Sequence, residues 1–309
     1  MRRSTFTALL GGAAALPTVA RAQSLVPLRI ATPGGDTYAE PFYALDEGFL
    51  ARAGFEGQLT LLNNAGAVTA AVAGGSVDVG IGDMIGIANA VNHGIPLQVF
   101  AGAGLYRTDS ATTFLCVDAN SPIRQAKDLE GKTVTVVTLV GLGTSSTKAW
   151  LTQNGADLSK IKFIELPQSE MPPALQRDLV QAAVLVEPFY TSVKSSIRVL
   201  GKPYDAVAKE FLICQWIATT DWLAKNAAGA RKLVGAIYET ARWANTHHDE
   251  SLPIIAKYNK IDPERIRGIV RAAYATRVGP DLIQPVIDVG VRYKTIEKTL
   301  DAGTVIVKL

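Results

Sequence analysis

Short apolar runs alternate with amphipathic stretches over most of the chain, and no other feature limits its fold more. "PLRIATP", "GQLTLLNN", "VDVGIGD" and "PLQVFAGAG" read as strands. Between them, "TYAEPFYALDEGFLARAG", "AGAVTAAVAGG" and "MIGIANAVNHG" read as helices. In the first of these Tyr38, Phe42, Leu45 and Phe49 share one face at helical spacing. Pro41 sits in the tolerated first turn, and Gly54 ends the run. Such alternation implies a parallel sheet covered on both faces.

A second set follows "TTFLCVDANSPIRQAKDLEG": strand "KTVTVVT", helix "TSSTKAWLTQNG", strand "IKFIELP", helical turn "MPPALQRD" and strand "LVQAAVLVEP". The sets share a grammar. Ala71-Val72 stand before Val77 as Ala174-Leu175 stand before Val180. Each pair lies in a helix feeding a buried strand with a polar end, Gly82-Asp83 in one and Glu187-Pro188 in the other. One βαβ theme used twice would make two lobes facing each other. Ligands of open parallel sheets bind outside the carboxyl ends of the strands, which places a site in the cleft between such lobes. "EFLICQWIATTDWL" is strand-like and is the candidate return crossing. The remainder, "GARKLVGAIYETARWANTHH", "DPERIRGIVRAAY" and "PDLIQPVIDVGVRYKTIEKTL", reads as helical.

The N-terminus has a different character. "MRRSTFTALLGGAAALPTVARAQS" joins Arg2 and Arg3 to a short uncharged apolar stretch and an Ala20-Arg21-Ala22 cleavage pattern. It reads as an export signal, residues 1–22, too short to span a membrane. The paired arginines with Phe6 leave both the twin-arginine and the ordinary secretory route open. Removing it takes the basic count from 31 to 28, equal to the 28 acidic residues. A near-neutral mature chain argues against nucleic acid and against an anionic membrane surface as partners. Cys116 and Cys214 are too few for a disulfide framework. They are two buried thiols or a single bridge between the predicted crossings.

Most chemical motifs fail on spacing. Gly141-x-Gly143-x-x-Ser146 follows a strand but lacks the third Gly of a dinucleotide fingerprint. Gly143-Thr144-Ser145-Ser146-Thr147 lacks the second Gly of a nucleophile elbow. Gly131-Lys132-Thr133 precedes its strand, so it is not a phosphate loop. His93 is placed to cap a helix C-terminus. The consecutive residues His247 to Glu250 point in different directions from a helix and cannot converge on one metal ion. Two readings of the Gly-Thr-Ser turn remain: a helix start that holds a ligand, or a cap that serves only its own helix.

Several phrases in this order resemble the nitrate/sulfonate/taurine solute-binding proteins of ABC importers, relatives of the thiamine-pyrimidine precursor receptors. They are "EPFYALDEGFLARAGFEGQLTL", "AVAGGSVDVGIGD…ANAVNHGIPLQVFAG", "DLEGKTVTV" and "PPALQRDLVQAAVLVEPF". The resemblance runs from about Pro27 to Ile306. Asp178 stands where that family has Gly, and Gln181 where it has Asp. The Cys-rich segment of the related pyrimidine synthases is not matched. The resemblance implies a type II periplasmic binding protein, with two α/β lobes joined by two crossing hinge strands. The expected lobes are 24–115 with 210–309, and 116–209. It also implies a monomeric periplasmic receptor, without a cofactor or metal, that hands its solute to an ABC permease.

The expected solute is a small anionic or polar organic molecule, sulfonate-, nitrate- or taurine-like or a small heteroaromatic. First-lobe contacts are expected from Thr32, Tyr38, Asn63, Asn64, Gly82, Asp83 and Met84. Second-lobe contacts are expected from Gly143, Thr144, Ser145, Ser146 and Glu187. Asp83 and Glu187 either turn away to cap backbone or meet N–H donors on the solute. The alternatives are an exported hydrolase using the Gly143–Ser146 turn, and a receptor that feeds a sensor protein.

Overall fold

The computed structural model describes residues 24–309, so the expected export signal lies outside the described residues. Four strands open the chain: β1 (Val26–Pro33), β2 (Phe55–Leu62), β3 (Val79–Gly82) and β4 (Leu97–Gly102). β1 runs parallel to both β2 and β3. All four residues of β3 are buried, as a parallel strand covered on both faces requires. β5 (Gly104–Arg107) then carries the chain out of this sheet.

β6 (Thr113–Asp118), β7 (Thr133–Val136), β8 (Lys162–Glu165), β9 (Ala182–Val186) and β10 (Ile197–Gly201) build a second sheet. β11 (Glu210–Leu212) pairs antiparallel with β5, and β12 (Gln215–Thr219) returns to the first sheet between β3 and β4. β13 (Ala273–Tyr274) closes a three-stranded ribbon with β5 and β11. The fold is that of a type II periplasmic binding protein, two α/β lobes joined by crossing strands.

The sheet orders are β2-β1-β3-β12-β4 and β10-β6-β9-β7-β8. Read from opposite ends, they are one plan. In each, a parallel trio is followed by an antiparallel strand lying between the third and fourth members.

Two expected helices differ in the structure. The run "TYAEPFYALDEGFLARAG" divides into a 3-10 turn (Asp36–Tyr38) and helices Glu40–Asp46 and Phe49–Arg52. Gly48, with φ of 73°, breaks it between the two helices. "DPERIRGIVRAAY" forms only the turn Pro263–Ile266 before β13. Gly268, with φ of 79°, stops helical propagation there. Cys116 and Cys214 are both buried free thiols, so the single bridge does not form.

Candidate functional site

A cavity of about 90 Å³ lies where the carboxyl ends of the two parallel trios face each other. The first lobe contributes Pro33, Gly34 and Tyr38 after β1, Asn63, Asn64 and Ala65 after β2, and Asp83 after β3. The second contributes Val136, Val137 and Thr138 at the end of β7, Leu142, Gly143 and Thr144 from the following helix, and Val184 and Val186 of β9. Gln168 and Tyr204 complete the lining.

Six residues expected from sequence therefore come together here: Tyr38, Asn63, Asn64, Asp83, Gly143 and Thr144. The other six lie behind the wall. Thr32 is fully buried and its Oγ1 donates to the Tyr38 carbonyl at 2.9 Å. Gly82 is held in β3, where the Gln215 Nε2 donates to its carbonyl. Met84 belongs to the apolar core. The helix Leu142–Gln153 starts two residues before its Ser-Thr run, which turns the hydroxyls of Ser145 and Ser146 inward. The Ser145 Oγ donates to the Gly141 carbonyl at 3.0 Å and lies 2.5 Å from the Thr295 Oγ1. The Ser146 Oγ donates to the Gly143 carbonyl at 3.1 Å. Glu187 is buried and accepts from the backbone N–H and hydroxyl of Thr191 at 3.1 and 2.8 Å.

Sequence reading passed over Gln168 and Tyr204. Gln168 follows β8 as Asn63 follows β2, so the strand-end rule applied to both sets of strands reaches it. Its amide braces β9, donating to the Val184 carbonyl at 3.0 Å and accepting from the Val186 N–H at 3.2 Å. Tyr204 lies in a 3-10 turn (Pro203–Ala206) that no motif marks.

Asp83 is the electrostatic centre of the site. It caps its own helix, Met84–Asn92, accepting from the Gly86 N–H at 2.9 Å. It also faces the helix of the opposite lobe. Gly141, the N-cap of Leu142–Gln153, has no side chain to serve that helix start. A Cβ on Gly141 would stand 3.4 Å from the Asp83 Oδ2, so the carboxylate lies against the start of the opposite helix. Burial pushes the Asp83 carboxyl above its ordinary range, and the N–H groups of Gly86, Leu142 and Ile85 pull against that rise.

One more contact joins the lobes near the cavity, with an ion pair inside the first lobe behind it. The Asp36 N–H donates to the Glu187 carbonyl at 3.0 Å. Behind it, the Asp36 carboxylate is fully buried and paired with Arg271 at 3.2 Å. Burial pushes the Glu187 carboxyl up to about 7, against the hydrogen bonds from Thr191 and the Val270 N–H.

Two α/β lobes on one plan, with strand ends meeting around a small cavity, define the solute-binding-protein class of architecture. The family model described as NMT1/THI5 like matches residues 37–251, more than half of the chain. The chain belongs to the NMT1/THI5-like family. A sequence search of curated proteins gave no match. Among solved structures the chain is similar to the periplasmic aliphatic sulphonate binding protein SsuA from Escherichia coli. They share 19% identity over 92% of this chain and 93% of that one, with a TM-score of 0.74. It is also similar to the periplasmic nitrate-binding protein NrtA from Synechocystis PCC 6803. That match has 14% identity over 91% and 84%, with a TM-score of 0.76. The desulfurization enzyme DSZB shares the fold too, at 13% identity over 90% and 95%, with a TM-score of 0.67. At these identities the likeness is one of fold.

Proposed function

We propose that the protein is a periplasmic receptor of an ABC importer that traps a small organic solute between its lobes and delivers it to an inner-membrane permease. One observation carries this reading: the cavity is lined by strand ends of both lobes, so a molecule seated there bridges them. Differential contact with the two lobes is what drives hinge closure in such folds. The lobe limits are proposed at 24–115 with 210–309, and 116–209, the first division falling within β6 and the second at the start of β11.

Of the residues expected from sequence, Tyr38, Asn63, Asn64, Asp83, Gly143 and Thr144 are proposed as direct contacts. Thr32, Gly82, Met84, Ser145, Ser146 and Glu187 are proposed as their supports. The hydrolase alternative loses ground on the lining itself, which holds no histidine among the described residues. Its serine hydroxyls, moreover, are turned into the helix. An exported monomer without cofactor or metal is the matching proposal for state and location. Among the described residues no helix is long and apolar enough to cross a membrane.

Native mass spectrometry of the protein, purified without ligand-stripping steps and re-exposed to a small-metabolite extract, tests the proposal. A one-to-one adduct, released on denaturation and accompanied by a fall in radius of gyration by X-ray scattering, is expected. A protein that captures nothing and keeps one radius of gyration with and without extract is not such a receptor.

A further inference from the structure

The cavity's lining contains no Lys, Arg or His among the described residues. In its place stand three side-chain amides, two phenols, the hydroxyls of Thr138 and Thr144 (which donate to backbone carbonyls), small and branched apolar groups, and the single carboxylate of Asp83. An anion carried from water into such a site loses its hydration and finds no opposite charge to offset that loss. Only a helix N-terminus could compensate, by its dipole and free N–H groups. Leu142–Gln153 does point its start into this cleft. That start, however, already faces the Asp83 carboxylate, whose Oδ2 would lie 3.4 Å from a Cβ on Gly141. The other helix aimed at the cleft, Met84–Asn92, is capped by the same carboxylate. Ala65–Ala73 is capped by Asn64, whose Oδ1 accepts from the Ala67 N–H at 2.9 Å.

Resting on the receptor reading above, we infer that Asp83 acts as an internal anion that fills the helix-terminus subsite, so the cavity selects an uncharged solute and rejects sulfonates, nitrate and carboxylates. The selection rests on an ionised Asp83, whose carboxylate both occupies the space at the helix start and repels a second anion. The groups left for the solute are neutral. Asn64 has its Nδ2 free after capping, and Asn63 lies at the exposed mouth beside it. Tyr38 presents a half-buried ring. The volume bounds size as well, since at roughly 30 Å³ per water about 90 Å³ has room for about three water-sized groups.

Matched amide and carboxylate pairs test the sign of this preference at constant shape. Binding of acetamide against acetate, and of propionamide against propionate, is measured by calorimetry on the mature protein and on Asp83→Asn. Asparagine keeps the helix cap and removes the charge. The expected result is at least tenfold tighter binding of the amides by the unaltered protein, with the gap narrowing at least threefold in the variant. Equal or tighter binding of a carboxylate by the unaltered protein overturns the inference, and so does a gap that Asp83→Asn leaves unchanged. Failure of all four probes to bind overturns the assigned size and charge class. The captured solute separates this inference from the reading beneath it. An anionic adduct in native mass spectrometry defeats the charge selection and leaves the receptor standing, whereas no adduct defeats both.

Discussion

The two lobes solve one structural problem with different residues, and the differences separate what the fold needs from what the site needs. In the first lobe the turn before β3 puts Gly75 at φ of 71°; in the second, Asp178 takes the same role at φ of 55°. The surrounding bonds match: Gly75 donates to the Val72 carbonyl and Asp178 to the Leu175 carbonyl. Three residues later the Asp78 Oδ2 accepts from the Arg29 N–H at 2.9 Å, and its counterpart Gln181 accepts from the Thr133 N–H at 3.1 Å. The departures at 178 and 181 therefore preserve the geometry of the turn. A side-chain oxygen is needed to hold the first strand of each trio, and either a carboxylate or an amide supplies it.

At the polar ends the lobes diverge. Asp83 turns its carboxylate across the cleft to the start of the opposite helix. Glu187 offers its backbone carbonyl across the cleft to the Asp36 N–H and keeps its carboxylate among Thr191 and the Val270 N–H. The first arrangement shapes the cavity; the second latches the lobes from behind it.

The largest effect is expected from Glu187→Gln, read as a pH profile. Burial raises the Glu187 carboxyl from an ordinary 4.5 to about 7. A raised folded-state value means that the folded protein binds the proton more tightly than the unfolded chain does. Its contribution to stability is then fully present below the unfolded value and is lost as pH rises through about 7. The full span is roughly 3 kcal/mol. Urea unfolding should show the glutamine variant close to the unaltered protein at acid pH and more stable by up to that amount well above neutrality. A difference that does not change with pH would place Glu187 in a wetter, less constrained setting than Asp83.

Next comes the central strand of each five-stranded sheet. Gly80 pairs with Ala31 and Ile217, and Ala183 occupies the matching position against Thr135 and Cys116. A Cβ on Gly80 would stand 2.4 Å from the Val68 Cγ1 and 3.0 Å from the Ala31 carbonyl oxygen. Gly80→Ala should cost about 1–3 kcal/mol by overpacking. Ala183→Gly should cost about 1 kcal/mol, through strand propensity and a lost methyl. Equal costs at the two positions by chemical denaturation would show that the lobes tolerate volume alike.

Much of this plan was legible in sequence, for physical reasons that also mark where reading stopped. Parallel strands buried on both faces carry continuous apolar runs, so β1, β3, β7 and β9 stand out. The Ala71-Val72 and Ala174-Leu175 pairs mark the turns that the structure makes equivalent, because a turn's hydrogen bonds fix residue spacing locally. Tyr38, Asn63, Asn64, Asp83, Gly143 and Thr144 were reachable because strand ends in this topology point at the cleft. Side-chain direction was not reachable. Whether Ser145 faces the cavity or Thr295 depends on where the helix begins and on a residue 150 positions away. Asp83 lying against Gly141 depends on two lobes that no local pattern brings together. Arg271, which fixes Asp36, lies in a stretch whose periodicity looks helical but which Gly268 diverts into β13.

The smallest expected effect is Asp178→Gly, and it sharpens the comparison most. A non-glycine residue at positive φ costs about 1 kcal/mol, less for Asp because its short polar side chain bonds locally. Here the Asp178 Oδ1 accepts from the Gln181 Nε2 at 3.1 Å, and its carbonyl from the same nitrogen at 3.2 Å. Glycine removes the backbone strain and the side-chain bond together, and it enlarges the conformational freedom of the unfolded chain. These terms oppose one another, so stability by urea titration should change by no more than about 0.5 kcal/mol. A gain well beyond that would mean that Asp178 is strained relative to Gly75. A comparable loss would mean that the Asp178–Gln181 contact, and not the backbone, holds the turn in place and with it the register of β9 against β7.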